Sequence, residues 1–162
     1  MFVAPSEMWT PVPASATTIL PVGPHRGAEL NSDQLRENRD AVHGAWKRAF
    51  NDNLHSLRNG IYQGWDLHPA QLIVRYAAVY SFFLEGLPAA SSRLKAFVEK
   101  AALASLHGDV FDDAATGQGL LNFFLRGIAC GALTEAEVLA TGLTLDEIRS
   151  RSFLKILQAR RG

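Results

Sequence analysis

The segment from Gly60 to Leu72, with the sequence Gly-Ile-Tyr-Gln-Gly-Trp-Asp-Leu-His-Pro-Ala-Gln-Leu, constrains the fold of this chain more than any other. Its first half predicts a strand over residues 61–67. Pro69 then suits the first turn of a helix, because the N–H of that position has no intrahelical acceptor to lose. Side chains at the end of a buried strand and beside a helix N-terminus are well placed to bind a ligand. We therefore expect a functional site at this junction.

Helical patterns account for most of the remaining chain. Apolar residues recur at spacings of three, four and seven from Leu35 to Ile61, which predicts a long helix that begins near Ser32. Asn31 or Ser32 can cap its first turn, and the Asn59-Gly60 pair supplies its end. Another apolar pattern predicts a helix through residues 120–128, which is the fourth predicted helix in chain order.

Two further helices are predicted between these, over Pro69–Glu85 and from about Pro88 to Leu106, with Gly86 ending the first of them. The first carries aromatic residues on one side at helical spacing, a pattern that is more typical of a core face than of a cofactor site. These aromatic residues are Tyr76, Tyr80 and Phe83.

The two ends of the chain differ in their pattern. Residues 1–30 contain prolines at positions 5, 11, 13, 21 and 24, which predict an irregular N-terminal arm. Near the other end, Thr134 with Glu137 and Thr144 with Glu147 form two capping-box sequences, each of which predicts a short helix. The expected fold is mainly α, with about one strand.

Charge and cysteine content exclude several classes of function. Sixteen Lys and Arg balance sixteen Asp and Glu, so no net charge favours nucleic acid or an anionic membrane as a partner. The single cysteine, Cys130, excludes an internal disulfide and fits a reducing compartment. Tyr76–Leu84, the most apolar stretch, is too short to span a bilayer, and the first residues lack a secretion signal. We expect a soluble, cytoplasmic protein.

Few residues suggest chemistry. His68 can either face a substrate at the end of the strand or form a hydrogen bond that fixes the turn before Pro69. Asp66 alternates with His68 along the strand, so at most one of the two points into a given pocket. Asp112 and Asp113 precede a helix, where one can cap the helix and the other can serve as a general base. No zinc-ligand spacing and no phosphate-binding loop is present in the sequence.

The segment Gly64–Leu72 resembles the last-strand motif of the HpcH/HpaI aldolase and citrate lyase β-subunit superfamily. In those enzymes a glycine and an aromatic residue lead into an Ile/Leu-His-Pro-x-Gln-Ile/Leu step. With Tyr62-Gln63 before it and Arg75–Tyr80 after it, the segment is closer to a poorly characterised branch with aldolase-like or phosphoenolpyruvate-kinase-like names. The tail, from Ala115-Thr116-Gly117-Gln118 to Arg151-Ser152-Phe153, is also similar to that branch, so the resemblance covers about residues 17–160.

The resemblance implies a (β/α)8 barrel that binds Mg²⁺ and a small oxoacid such as pyruvate, oxaloacetate or phosphoenolpyruvate. Bonds between carbon atoms would form or break through a metal-stabilised enolate. The run Gly108–Asp112 resembles a segment whose aspartate acts as a base in malate-synthase-like relatives, and Asp112 is the matching position. The implied substrate-binding residues are Trp65, Asp66, His68, Pro69 and Gln71.

On this template, residues 31–86 are the last helix-strand-helix of the barrel and residues 87–162 are its helical extension, which in relatives often packs across a neighbouring subunit. A complete barrel needs about 250 residues, and the metal-binding Glu and Asp of the family come from earlier strands. The resemblance therefore implies the C-terminal fragment of a homo-oligomeric enzyme, inactive alone, with no Mg²⁺ ligands in this chain. The alternative is a small helical module that docks a partner protein through its aromatic stripe.

Overall fold

The structure is a computed structural model that describes residues 19–62, 66–106 and 114–161. Within these ranges the chain is helical, as predicted. The helices are α1 (Ser32–Arg58), α2 (Pro69–Leu106), α3 (Ala114–Ala129), α4 (Glu135–Leu139), α5 (Leu145–Ser150) and α6 (Phe153–Arg161). The chain divides into two compact units, Met1–Phe82 and Phe83–Gly162, with the boundary inside α2.

The strand predicted over residues 61–67 is absent at the positions of that range that the structure describes, and residues 63–65 lie outside the description. A strand needs a neighbour to accept and donate its backbone hydrogen bonds. Here those groups have other partners. The N–H of Ile61 donates to the carbonyl of Ser56 at 2.9 Å, and the N–H of Leu67 donates to the side chain of Gln71 at 2.8 Å.

The predicted limits of α1 are confirmed. The side chain of Asn31 accepts from the N–H of Gln34 at 2.9 Å, and the side chain of Gln34 accepts from the N–H of Asn31 at 3.0 Å. At the other end Gly60 has φ +77°, a left-handed conformation in which glycine has no side chain to clash.

The buried face of α1 differs from the predicted apolar stripe. Leu35 is 56% exposed, and the buried positions are mostly small or polar. They are Ala45, Ala49, Asn53, Ser56 and Leu57. Small residues on a helix face let a neighbouring backbone approach closely, and Trp46 donates its indole N–H to the carbonyl of Ala70 in α2 at 3.0 Å.

Residues 19–30 are irregular, but they contact α1. His25 and Asn38 form a reciprocal pair, in which the N–H of His25 donates to Asn38 Oδ1 at 2.8 Å and Asn38 Nδ2 donates to the carbonyl of His25 at 3.0 Å. A Cβ atom on Gly23 would overlap the side chain of Asn38. This part of the predicted arm is therefore held against the first helix.

The two helices predicted over Pro69–Glu85 and Pro88–Leu106 form one continuous helix, so the prediction that Gly86 ends the first of them is wrong. Gly86 serves packing instead, since a Cβ atom there would lie 3.2 Å from the Phe123 ring. Continuity also changes the bilayer argument: Pro69–Ala101 is long and apolar enough to span a membrane by length and composition, with mean hydropathy 1.2 and 17% of its most apolar window buried.

The aromatic stripe of α2 is not a core face at its N-terminal end. Tyr76 is 44% exposed and Tyr80 is 36% exposed, whereas Phe83 is fully buried. The buried positions before Phe83 are Gln71, Val74 and Ala78. That row is offset around the helix from the tyrosines, which therefore point largely to solvent.

The C-terminal unit has an apolar core, as the sequence predicts. Fully or almost fully buried side chains come from α2, α3 and α6: Leu94, Val98, Leu121, Phe124, Phe153 and Ile156. The rings of Phe97 and Phe153 lie 5.5 Å apart, and a Cβ atom on Gly117 would overlap the ring of Phe153. Glycine at position 117 thus sets the closest approach of α3 and α6. Both predicted capping boxes, at Thr134 and Thr144, are confirmed.

Candidate functional site

The start of α2 brings together three of the predicted site residues as a capping box. The side chain of His68 accepts from the N–H of Ala70 through Nδ1 at 3.1 Å. In return, Gln71 Oε1 accepts from the N–H of His68 at 3.2 Å and from that of Leu67 at 2.8 Å. His68 thus occupies the N-cap position, Pro69 the first helical position and Gln71 the third. The arrangement is a variant of the Ser/Thr-x-x-Glu/Gln capping box in which histidine is the cap and accepts from the second helical residue, Ala70, instead of the third.

This arrangement leaves no free backbone donor among the first three residues of α2. Pro69 has no N–H, the N–H of Ala70 binds the imidazole, and the N–H of Gln71 donates to the carbonyl of His68 at 2.9 Å. A helix end binds anions through unpaired N–H groups. The ligand expected at this helix N-terminus would therefore have to displace the imidazole or bind through side chains.

The hydrogen bond at Nδ1 also defines the imidazole chemistry of His68. Because Nδ1 accepts from a backbone N–H, the ring proton of the neutral form resides on Nε2. The side chain can thus donate through Nε2 while its other nitrogen holds the turn. Gln71 is buried and its Nε2 donates to the carbonyl of Ile19 at 3.4 Å, so the amide is bonded at both ends.

Asp66 forms an ion pair with Arg75, two turns into α2. Arg75 Nε lies 3.1 and 3.0 Å from the two carboxylate oxygens, and its Nη2 lies 2.9 Å from Oδ2. The two side chains are only 15% and 16% exposed, and the guanidinium carbon lies 5.1 Å from the centre of the Tyr76 ring. A carboxylate that is bonded through both oxygens is neutralised, so Asp66 acts here as an anchor for the residues before α2.

The remaining predicted site residues lie outside the description. Trp65 and Asp112 both fall in segments that the structure does not describe, so their contribution stays a prediction. Across the described ranges no three His, Cys, Asp or Glu side chains form a group that could hold a metal ion. Among the described residues, the junction does not fit Mg²⁺, because the carboxylate of the motif, Asp66, is already bound by the guanidinium of Arg75.

A second concave surface lies in the C-terminal unit. A groove of about 500 Å³ runs between the C-terminal half of α3 and the region of α4 and α5. It is lined by Asn122, Leu125, Arg126, Ile128, Ala129, Glu135, Ile148, Arg149 and Arg151. No sequence motif contains its arginines, and Arg126 lies 23 positions before Arg149 along the chain.

In the same unit, the pKa of a structural carboxylate, Glu147, is lowered. Hydrogen bonds from the Arg160 guanidinium lower the pKa of Glu147, although partial burial opposes the shift. Arg160 Nη2 lies 2.9 Å from Glu147 Oε2 and 2.8 Å from the carbonyl of Gly142. The carboxylate also caps α5 by accepting from the N–H of Thr144 at 2.7 Å. This cluster ties α6 to the start of α5.

These features define a helical protein whose His-Pro-x-Gln junction is built as a helix start. A family model described as Domain of unknown function (DUF6986) matches residues 7–156. The chain therefore belongs to that family. Comparison of this chain with the curated proteins and with the solved structures found no match.

Proposed function

We propose that this chain is the C-terminal portion of a Mg²⁺-dependent aldolase or lyase that resembles the HpcH/HpaI and citrate lyase β-subunit enzymes. In the complete enzyme, a small oxoacid of the pyruvate, oxaloacetate or phosphoenolpyruvate class would react through a metal-stabilised enolate. The sequence basis is the Gly64–Leu72 motif. The observation that supports it in the structure is the uncovered apolar surface of α2.

That surface is unusually exposed for its composition. Ile73 is 68% exposed, and Tyr76 and Tyr80 follow at spacings of three and four residues on the same side of the helix, at 44% and 36%. We call these three residues the α2 face. Contiguous apolar surface of this kind normally contacts another part of a protein. In a (β/α)8 barrel, an outer helix buries its apolar surface because it packs against the strands and against the neighbouring helices.

A lipid bilayer is a less suitable environment for the exposed apolar surface of α2 than another part of a protein. A bilayer span needs about 20 consecutive, predominantly apolar residues. Within Pro69–Ala101 the charged residues Arg75, Glu85 and Arg93 leave only short uncharged intervals, and three more charges follow. Arg75 is held in an ion pair at the start of the helix. This distribution supports a soluble protein, and we propose the cytoplasm as its compartment, where the half-buried thiol of Cys130 would remain reduced.

In the complete enzyme, Mg²⁺ would be held by carboxylates on the preceding strands. His68 would form part of the pocket wall and present its Nε2 proton to the pocket, while its Nδ1 holds the first turn of α2. Gln71 would fix the backbone before the helix. Pro69 and Asp66 would position these groups rather than react. We also propose that the complete enzyme is a homo-oligomer, since its helical extension offers a surface for a neighbouring subunit.

The first test is the reading frame upstream of Met1. It should encode strand–helix repeats with a Glu and an Asp at strand ends. The protein expressed with those repeats should exchange the methyl protons of pyruvate for deuterium in a Mg²⁺-dependent reaction, measured by NMR. The 162-residue chain alone should show no Mg²⁺-dependent turnover of oxaloacetate or phosphoenolpyruvate. Turnover by the chain alone that is abolished by His68→Ala or Asp112→Ala would contradict the proposal.

A matched pair of variants tests whether the rest of the complete enzyme packs against the α2 face. Ile73→Asp places a charge on the α2 face, and Leu154→Asp places one on α6, where the side chain is 55% exposed. Both should leave the isolated chain folded, as judged by circular dichroism. In the protein with the upstream repeats, only Ile73→Asp should abolish proton exchange, because the charge would be buried there without a partner. Equal activity of the two variants would refute a barrel contact at this face.

The same face also supports the second candidate, a helical interaction module without catalytic activity. The Tyr76 and Tyr80 rings lie 6.3 Å apart and offer paired aromatic surface of the type that is enriched at protein interfaces. An upstream region without strand–helix repeats would favour this candidate. So would a concentration-dependent dimer, measured by sedimentation, that Ile73→Asp dissociates and Leu154→Asp does not.

A further inference from the structure

The groove in the C-terminal unit combines an apolar floor with a basic rim. Leu125 and Ile128 of α3 and Ile148 of α5 supply the apolar lining. Its volume of about 500 Å³ lies within the usual range for ligand sites, about 300–1,000 Å³. The groove is partly open to solvent, so it can bind a segment of polypeptide as well as a small molecule.

The charged residues of the lining are mostly basic. Arg149 and Arg151 lie there with one carboxylate, Glu135, so these three residues carry a formal charge of +1 in a chain whose net charge is zero. Glu135 does little to neutralise the rim. Its closest approach to Arg149 is 3.4 Å, and the two side chains are 47% and 62% exposed, which makes a weak ion pair.

The backbone of Arg151 places one of these charges at a steric cost. Arg151 has φ +54° and ψ +15°, and it is the only non-glycine residue with positive φ in the described part of the chain. Only glycine adopts this conformation without steric cost, and glycine is the usual residue where a helix ends in this way. The chain instead has an arginine at this position, and this residue lines the groove.

We propose that this groove binds an acidic peptide segment, with one apolar side chain on the floor and flanking carboxylates on the arginine rim. Arg149 and Arg151 lie at the end of α5, beside the apolar lining, so carboxylates that flank the apolar residue would each find a guanidinium there. Guanidinium groups bind carboxylates in a bidentate manner and are frequent at the energetic centres of protein interfaces. The site lies in the C-terminal unit and does not depend on the proposed oxoacid chemistry.

The test uses the full chain and a fluorescein-labelled peptide, Glu-Glu-Leu-Glu-Glu, with binding followed by fluorescence anisotropy. Arg149→Gln and Arg151→Gly should each weaken binding by roughly fivefold, the upper range for one exposed ion pair. Arg36→Gln is the matched control: Arg36 is 62% exposed and pairs with Asp33 on α1, far along the chain from the groove, so binding should not change. Replacing the central leucine of the peptide by glutamine should also weaken binding.

Arg151→Gly separates a binding role from a structural one. Glycine relaxes the left-handed backbone, so the melting temperature should stay the same or rise while binding falls. Three results would overturn the proposal: no binding of the acidic peptide, equal binding of a Lys-Lys-Leu-Lys-Lys peptide, or binding that neither arginine variant weakens. Displacement of the peptide by citrate or inorganic phosphate at equal concentration would also overturn it, because it would indicate a small-anion site.

Discussion

The capping box at the start of α2 makes a quantitative prediction for Gln71. The side-chain oxygen of this buried residue accepts two backbone hydrogen bonds, from Leu67 at 2.8 Å and from His68 at 3.2 Å. In Gln71→Met the shape of the side chain is kept and both acceptor interactions are lost. In Gln71→Glu the acceptor is kept, and only the weaker donor contact to Ile19, at 3.4 Å, is lost.

The magnitude follows from the burial of the groups that lose their partner. Each neutral hydrogen bond contributes about 1 kcal/mol, and a buried unpaired donor adds to the loss. Leu67 is 48% exposed and His68 is half-buried, so water can partly replace the lost acceptor. We therefore expect Gln71→Met to lower the free energy of unfolding by about 1.5–2 kcal/mol, toward the lower end of the range for two such bonds. Gln71→Glu should lose less stability than Gln71→Met, because the carboxylate keeps both acceptor interactions and is favoured in the first turn of a helix. Burial of its charge beside the carbonyl of Ile19 opposes this gain.

Urea denaturation followed by circular dichroism and by tryptophan fluorescence measures both variants. Trp46 is a suitable reporter of this region because its indole donates to the carbonyl of Ala70, within the same first turn. An unchanged urea midpoint in Gln71→Met, or an equal loss of stability in Gln71→Glu and Gln71→Met, would contradict this role of the Gln71 oxygen. The first result would mean that Gln71 is free to bind a ligand rather than to hold the helix start.

The other predictions concern the C-terminal unit. Gly117→Ala should destabilise the protein by about 1–3 kcal/mol because the new methyl group meets the ring of Phe153, whereas Gly119→Ala, with no atom within 4 Å of the new Cβ, should stabilise it by about 0.5–1 kcal/mol. Thermal melts of the pair check this, and equal effects would contradict the close approach of α3 and α6. Because Arg160 lowers the pKa of Glu147, the pair stabilises the fold above the unfolded-state pKa, and this contribution is lost as the pH falls through the lower folded-state value. Glu147→Gln should therefore reduce stability at neutral pH and change it little in acid; a stability difference that persists at low pH would argue against this origin.

Local signals predicted the helix ends well. The side chains of Asn31, Thr134 and Thr144 each accept a hydrogen bond from the backbone N–H three residues later. Because the two residues of such a pair are close in sequence, the sequence pattern predicts the bond. Features that depend on tertiary contacts are not predictable from such local patterns. Gly86 was predicted to end a helix, but it makes room for Phe123, which lies 37 positions along the chain.

The candidate site was predictable only in part. The position of the His-Pro-x-Gln junction before a helix was correct, but a strand before it was expected from the pattern of residues 61–67. The sequence could not show that Asp66 would be bound by Arg75, because the two lie nine positions apart across the start of the helix. The basic groove was missed for the same reason, since Arg126 and Arg149 approach one another only in the folded unit.

The capping box of α2 has a consequence for amide exchange and for the interpretation of the motif in other sequences. The amides at a helix start normally exchange quickly with solvent, yet Leu67, His68 and Ala70 all have acceptors here. Slow exchange at these three amides would mark the junction as an anchor of the first unit. A protein can then retain His-Pro-x-Gln after losing any catalytic activity, because the motif also encodes the start of a helix. Its presence in a genome sequence indicates a shared fold element more directly than a shared reaction.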